Sequence, residues 1–558
     1  MLRTLICLFC VSAATVAMAQ DEQNDSPWDL FSSDVGVLIR VHEPDRTIEK
    51  VAALAESIQP GMGDLVQQQA QMLGQAISNP EMIGVDQSRD WYAGVYVQQY
   101  SPPIIVFAIP AVNADDMVSV LEDEMTTRVE GRWVLYTDAE SFPNSSEERA
   151  SAELNEAFKT AVESSDLTVF VNADRLADVF AEQINLAEDR ALEVLNSRRF
   201  LLPDMGVDTT VLMNFYSQFL QMFYQGIRDS KALTLAVALD EETVAIDEHL
   251  EFKEDSAASR FIANYPPESM PAIRKLPTGA EIYFGLAHTA EWTKWNMELN
   301  LALLNPSDVE EEVKDLIGRI GSLDFGPYLS CVDMSRSSGG MFRTGAIVEV
   351  SPLDAAKSFL RDSNGQIESF DLPGVTQIIT DEIGVEKYGS RDGDLLTIEQ
   401  AFEDGPGGAG LETRIQELLF GGGTIETRTV WLDDSYVQST GGGREYMETL
   451  LKAVDSEDSQ PIEKFSRPLP EESLFMVYID LPGVIAATLD AVGESGMAPI
   501  AIDTATIDSL GIETSYLGVS ISSEKNAFTC QTCVPHKLIR GMTQLSLFLG
   551  AQFQGGGL

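Results

Sequence analysis

The chain has 558 residues, of which 44% are hydrophobic, and its formal net charge at pH 7 is −51. This length suffices for several domains with ordinary cores. Such an acidic surface repels nucleic acid and anionic membranes, which argues against both as partners. The charge indicates solubility or a salty exterior, and it also suits cationic ligands, basic proteins or divalent metals.

The first 19 residues have the three parts of a secretory signal peptide. Arg3 is the positive part, Leu5–Val11 the apolar run and Ala17–Ala19 the small-residue cleavage site. The run is shorter than the roughly 20 residues of a membrane-spanning helix. We expect cleavage after Ala19, a secreted or periplasmic protein, and no transmembrane segment after cleavage. An uncleaved N-terminal anchor is the alternative.

Four similar units follow a polar leader at residues 20–31. Each begins with a β-branched or aromatic strand followed by a helix start, and continues with two strands and a second helix. The strand–helix starts lie at Ser33, Ser165, Thr278 and Glu472. The predicted modules are 32–162, 163–272, 273–465 and 466–558, and the third contains a long insert around 370–454. Modules 1 and 2 together resemble modules 3 and 4, which indicates an old duplication.

This order predicts an α+β fold. It consists of tandem strand–helix–strand–strand–helix modules, in which antiparallel sheets are covered by helices. The same order is compatible with a ferredoxin-like arrangement, although it does not fix the order of the strands.

Three cysteines remain after signal cleavage: Cys331, Cys530 and Cys533. The C-x-x-C pair precedes the helix predicted from Pro535, so a helix dipole does not activate it as in redox sites. Residues three apart on a strand point to opposite faces, which is poor for bridging. We interpret Cys530 and Cys533 as plain strand residues, with a local disulfide or a redox site as alternatives. Cys331 is expected in a core.

No metal or cofactor site is predicted. A zinc site needs more Cys or His near the cysteine pair than His536 alone. The acidic clusters at 122–124, 308–312, 392–394 and 433–434 do not match a calcium-binding loop. Asp392-Gly393 and Asp433-Asp434 instead predict hairpin turns. His42 and His288 each close a strand before a helix, where a polar residue is ordinary.

No catalytic residues are predicted either. The motifs of serine hydrolases, zinc proteases and phosphate loops are all missing. Carboxylates for glycosidase chemistry cannot be picked out among 88 acidic residues. Phe215, Phe219, Met222 and Phe223 lie at helical spacing and predict a core stripe, or an interaction surface if they are exposed.

The repeated strand–helix starts and hairpin–helix units resemble a loose group of secreted bacterial repeat proteins of unknown function. The resemblance covers almost all of the chain after the signal peptide and implies no activity and no catalytic residues. We therefore expect an exported, non-catalytic protein that binds or scaffolds an unknown envelope or extracellular partner. The alternatives are an extracellular hydrolase with carboxylates in a cleft between modules, and a carrier of an apolar ligand.

Overall fold

The computed structural model describes most of the chain. The described residues are 27–70, 72–121, 125–143, 149–198, 209–287, 315, 318–334, 340–367, 375–402, 409–422, 424–456, 469–495 and 509–555. They belong to two compact units, the first of Met1–Ala191, Leu220–Asn264 and Ser523–Arg540, the second of Leu192–Phe219, Tyr265–Ser522 and Gly541–Leu558. The predicted signal peptide lies outside the described residues. The boundaries of these units differ from those of the four predicted modules, because Leu192–Phe219 of the second module belongs to the second unit and Ser523–Arg540 of the fourth module belongs to the first. The division into four modules stays a prediction.

The first unit contains an antiparallel sheet. Its strand order is β4–β5–β3–β2–β1–β6–β7–β8–β20. The strands are β1 (Val37–Val41), β2 (Trp91–Tyr96), β3 (Ile104–Pro110), β4 (Thr126–Glu130), β5 (Trp133–Thr137), β6 (Leu167–Val171), β7 (Ser230–Leu239), β8 (Thr243–Phe252) and β20 (Ala527–Pro535).

The second unit also contains an antiparallel sheet, in the order β13–β14–β15–β16–β12–β11–β10–β18–β19. Two short strands, β9 (Glu268–Ser269) and β17 (Glu472–Ser473), pair separately. The sheet strands are β10 (Ile282–Leu286), β11 (Asp324–Asp333), β12 (Arg343–Ser351), β13 (Val375–Tyr388), β14 (Arg391–Phe402), β15 (Thr424–Trp431), β16 (Ser435–Thr440), β18 (Phe475–Ile479) and β19 (Leu517–Glu524).

Seven strands of each sheet follow the same order. The series β4–β5–β3–β2–β1–β6–β7 in the first unit matches β15–β16–β12–β11–β10–β18–β19 in the second. Individual backbone hydrogen bonds match as well. The His42 N–H donates to the Asp166 carbonyl at 3.0 Å, and the Ala287 N–H donates to the Leu474 carbonyl at 2.8 Å. Positions in the two units can therefore be compared residue by residue.

Several helices begin where the local sequence favours a helix start. α1 has Pro44 in its first turn, and the Asn155 side chain caps α5 by accepting the Phe158 N–H. No helix of the described residues combines the length and apolar character that crossing a membrane requires. The helices are α1 (Pro44–Ile58), α2 (Met62–Ala70), α3 (Leu73–Ala76), α4 (Ala114–Leu121), α5 (Glu156–Ser164), α6 (Ala173–Val179), α7 (Ala181–Arg198), α8 (Thr209–Asp229), α9 (Ala257–Ala263), α10 (Leu353–Ile367), α11 (Ala409–Phe420), α12 (Gly443–Asp455), α13 (Leu481–Ser495) and α14 (His536–Gly555).

Both faces of the sheet carry a core in the first unit. Trp91 and Tyr92 are neighbours on β2, so they point to opposite faces. Tyr92 packs in the core that contains Phe158 of α5, whereas Trp91 packs in the core that contains Met117 of α4. The second unit repeats this pattern. Ile347 of β12 packs in the core that contains Met447 of α12, whereas its neighbour Val348 packs in the core that contains α10.

The α+β class with antiparallel sheets is confirmed. The strand order also bears on the ferredoxin-like arrangement. β1 and β2 are joined through helices, yet they lie side by side and antiparallel. A strand–helix–strand unit of the usual kind joins parallel strands, so this connection is of a different type. The ferredoxin-like arrangement is therefore not supported.

Candidate functional site

A cluster of charged side chains lies at the end of β1 in the first unit. Arg40 is only 3% exposed. Its Nε donates to Asp90 Oδ2 at 2.9 Å, and its Nη1 donates to the Ser165 carbonyl at 2.8 Å. His42 follows the strand, and its Nδ1 lies 2.7 Å from Asp90 Oδ1. We call Arg40, His42, Lys50, Asp90 and Asp166 the β1 charge cluster.

Two contacts compete for one ring nitrogen of His42. Arg40 Nη2 lies 2.7 Å from the same Nδ1 that approaches Asp90. A guanidinium only donates, so Nδ1 cannot accept from Arg40 while it donates to Asp90. Burial raises the pKa of Asp90, but the His42 hydrogen bond and the Arg40 charge outweigh it and hold this pKa below its ordinary value. The anionic Asp90 therefore holds both neighbours in place.

Asp166 is the buried acid of the cluster. It is fully buried just before β6, and its Oδ2 accepts the Leu239 N–H at 2.6 Å. Lys50 Nζ lies 3.9 Å from the same oxygen. The other oxygen, Oδ1, is buried and has no hydrogen-bond partner among the described residues. Burial raises the pKa of Asp166, since a charged group loses its hydration there.

The second unit forms the same backbone without this cluster. Matching strand registers and backbone hydrogen bonds identify the equivalent positions of the second unit. Gly285 corresponds to Arg40, Ala287 to His42, and Leu474 to Asp166. A Cβ added at Gly285 would lie 2.6 Å from Met270 Sδ, so that position is filled by apolar neighbours. Because the fold forms with three apolar residues there, the β1 charge cluster is specific to the first unit.

A pocket of about 340 Å³ opens beside β4 in the first unit. Ser32 lines it, and its buried Oγ, which interacts with the Tyr96 hydroxyl, forms no hydrogen bond of regular geometry in the described part of the chain. The Ser32 N–H donates to the hydroxyl oxygen of Tyr96 at 3.2 Å. Burial raises the pKa of Tyr96, so this hydroxyl stays protonated and is a donor. Two residues with hydroxyl groups therefore line the pocket.

Two arginines line the same pocket. Arg128 Nε lies 2.8 Å from Glu130 Oε1, and its guanidinium lies 4.9 Å from the centre of the Phe142 ring. Arg149 Nη1 donates to the Asp29 carbonyl at 2.7 Å, which fixes the side chain at the rim. We call Ser32, Tyr96, Arg128, Glu130, Phe142 and Arg149 the arginine pocket.

The second unit fills the equivalent place with apolar side chains. Arg128 of β4 lies opposite Leu135 of β5 in the first unit. Val430 of β15 lies opposite Val437 of β16 in the second unit, so Val430 is the equivalent of Arg128. Val430 is fully buried in the core that contains Leu450 of α12. The arginine pocket is therefore a feature of the first unit, like the β1 charge cluster.

The arginine pocket can bind an anion. A planar guanidinium offers paired N–H groups that match a carboxylate or phosphate. Among the charged residues that line the pocket, the two positive charges of Arg128 and Arg149 exceed the one negative charge of Glu130. The Ser32 Oγ adds a buried group that needs a hydrogen-bond partner. Sequence reasoning missed these residues, and the one signal for them is an arginine at a strand position where the matching unit has valine.

The cysteine pair lies on β20. Cys530 is opposite Glu248 of β8, and Cys533 is opposite Ala245. Both are thiols in the structure, Cys530 half-buried and Cys533 buried, and burial raises the pKa of Cys530. Their places on one strand match the interpretation as strand residues. The local disulfide stays a prediction for the oxidised protein.

The expected core stripe on α8 is wrong. Phe219 is 58% exposed, and Met222 and Phe223 are each 56% exposed. The spacing predicts one helical face correctly, but nothing in the sequence tells whether other residues cover that face. The side chain of Phe215, the fourth residue of the stripe, lies outside the described residues.

The hydrogen bonds of His42 and His249 go to residues other than histidine. His249 lies beside Thr529 at 3.3 Å, and burial lowers the pKa of both His249 and His536. His288 falls outside the described residues. Within the described ranges, no group of three or more His, Cys, Asp or Glu side chains is placed to hold a metal ion.

No protein-family model matches the chain, and neither a curated protein nor a solved structure shows significant similarity to it.

Proposed function

We propose that the chain is an exported, non-catalytic binding protein whose ligand is a small anion bound in the arginine pocket. The single observation that carries this proposal is the buried Ser32 Oγ, which forms no regular hydrogen bond within the described residues and lines the same pocket as Arg128 and Arg149. A bound carboxylate or phosphate oxygen supplies Ser32 with a hydrogen-bond partner of regular geometry and pairs with the guanidinium groups. The chain carries a net charge of −51, so two arginines at one small pocket form a local exception.

The chemistry of the pocket favours binding over catalysis. A serine nucleophile needs an adjacent base that accepts its proton, and the Ser32 Oγ has no such partner in the described residues. His42 and Asp90 form a histidine–carboxylate pair of the kind found in acid–base dyads. Neither residue lines the arginine pocket. The hydrolase is therefore the second choice. A carrier of apolar ligands fits a pocket lined by charged groups less well.

Isothermal titration with sodium acetate and inorganic phosphate tests the proposal. We expect one anion to bind the full chain with a stoichiometry of one, and the double variant Arg128→Gln, Arg149→Gln to lose at least about tenfold in affinity, or 1.4 kcal/mol. The matched control is Arg132→Gln, an exposed arginine in the β4–β5 turn that does not line the pocket. Equal losses in both variants, or no binding by the wild type, would contradict the proposal.

We also propose export and modular duplication. Export rests on the signal-like residues 1–19, and it predicts a mature N-terminus at Gln20, which mass spectrometry of the exported protein measures. The shared order of seven strands supports the duplication of one double unit, and the four modules rest on the sequence pattern alone. An intact N-terminus on the exported protein would contradict cleavage.

A further inference from the structure

Strand β13 forms one edge of the second unit's sheet within the described residues. β13 is a strand of 14 residues that pairs along its length with β14. Among the described residues, β14 is its only partner strand. Its second edge therefore presents a row of backbone N–H and C=O groups that need partners. Ile378 is 60% exposed and Ile383 is 58% exposed on this strand.

The first unit protects the matching edge differently. Its edge strand β4 has only five residues, and two of them, Arg128 and Glu130, are charged. Short edge strands with charged side chains resist pairing with other chains. In β13, the six residues Val375–Thr380 carry no charge, no proline and no glycine, and five of the six are β-branched. Such a segment has the composition of a strand that pairs readily.

A bulge limits the regular part of this edge. The register shifts between Glu382 and Glu386, and Gly384 adopts a positive φ of 65° there. A bulge interrupts regular pairing and bends the strand. The regular part of this strand is therefore Val375–Glu382, which precedes the register shift.

We propose that this edge pairs antiparallel with the same segment of a second copy of the chain. In a two-fold arrangement centred on Ile378, the two Ile378 side chains lie opposite each other on the exposed face, Thr380 lies opposite Thr376 and Asp381 lies opposite Val375. No carboxylate then lies opposite another across the new ladder, so the segment is self-complementary. A basic extended peptide fits the acidic chain as a whole, but this segment offers it no acidic residue before Asp381.

The net charge sets the condition for pairing. Two copies with a charge of −51 each repel one another. Salt screens that repulsion, since the Debye length falls from about 10 Å at 0.1 M to about 3 Å at 1 M. Backbone hydrogen bonds between strands are much less sensitive to salt. The dimer should therefore form more readily as salt concentration rises.

Multi-angle light scattering of the full chain tests this inference. We expect the mass to rise from one chain toward two between about 20 mM and about 0.5 M NaCl. Ile378→Lys should shift dimerisation to at least about tenfold higher protein concentration, because a charge on the edge opposes pairing. The matched control, Val129→Lys, places the same charge at an exposed position of the first unit's edge strand and should leave dimerisation unchanged.

Hydrogen exchange supplies a second measurement that needs no variant. The amides of Val375–Glu382 should exchange more slowly at high than at low protein concentration, whereas those of β4 should not change. A wild-type chain that stays monomeric at every salt concentration overturns the inference. So does equal loss of dimer in both lysine variants, or concentration-independent exchange along β13. These outcomes are separate from anion binding, which concerns the first unit alone.

Discussion

Asp166 and Leu474 occupy the same backbone position in the two units. The N–H of Asp166 donates to the Val237 carbonyl at 2.8 Å, and the N–H of Leu474 donates to the Ile521 carbonyl at 2.7 Å. One position thus holds a buried carboxylate in one unit and an aliphatic side chain in the other. A buried charge with one unpartnered oxygen destabilises a fold, so the fold itself gives no reason for Asp166.

Asp166→Asn should stabilise the protein at neutral pH by about 1–2 kcal/mol. The amide oxygen keeps the hydrogen bond from the Leu239 N–H, while the buried charge is removed. The pKa of Asp166 is raised in the folded state. The charged carboxylate therefore lowers the free energy of unfolding by its full amount above the folded pKa, and this destabilisation disappears as the pH falls below the unfolded pKa. The advantage of the variant should therefore shrink in acid, which urea unfolding at several pH values measures.

The exposed Asp138 provides the control for that experiment. Asp138→Asn should leave the free energy of unfolding within about 0.5 kcal/mol of the wild type. A loss of stability in Asp166→Asn at neutral pH would mean that Lys50 compensates the buried charge, and it would contradict the prediction.

Asp90→Asn should have the opposite effect. Removing this carboxylate leaves the buried guanidinium of Arg40 without its anionic partner, which costs about 3 kcal/mol in typical buried pairs. The pKa of Asp90 is lowered in the folded state, so its contribution is present above the unfolded pKa and is lost as the pH falls through the folded pKa. The loss in the variant should therefore be largest at neutral pH. A loss that does not change with pH would point to packing instead.

Phe158 and Phe223 should differ sharply in their contribution to stability. Phe158 is fully buried and lies 5.7 Å from Phe170 in an edge-on arrangement. Phe158→Ala should lower the free energy of unfolding by about 3–5 kcal/mol. Phe223 is 56% exposed, so Phe223→Ala should cost less than about 1 kcal/mol. Equal costs in denaturant unfolding would mean that the α8 stripe is covered in solution.

The periodicity of the sequence predicted the strands better than it predicted the exact positions of the turns between them. The Asp433-Asp434 turn was predicted, because it separates two apolar runs and lies between β15 and β16. The turn predicted at Asp392-Gly393 is wrong, since both residues lie inside β14 and the hairpin reverses between Tyr388 and Arg391. An acidic residue beside glycine favours a turn locally, but pairing along a long hairpin overrides that preference.

The polar sites were beyond local reasoning. Arg40 and Asp90 are 50 residues apart in sequence, and Ser32 and Arg128 line one pocket although they are far apart in the chain. Such contacts depend on strand order, which the sequence pattern left open. Comparison of the two units would have helped, because Arg128 stands where the second unit has Val430. That comparison needs the register of the strands, and periodicity alone does not supply it.

Cys331, Cys530 and Cys533 should differ in their reactivity toward iodoacetamide in the native protein. Cys331 is fully buried, and burial raises its pKa to about 11, so at pH 8 it is almost entirely protonated and shielded. Cys530 is half-buried and should be modified first. Mass spectrometry of peptides measures the order, and unfolding in urea should make all three react. If a bridge forms after export, Cys530 and Cys533 will stay unmodified in urea until a reductant is added, whereas Cys331 will react without it.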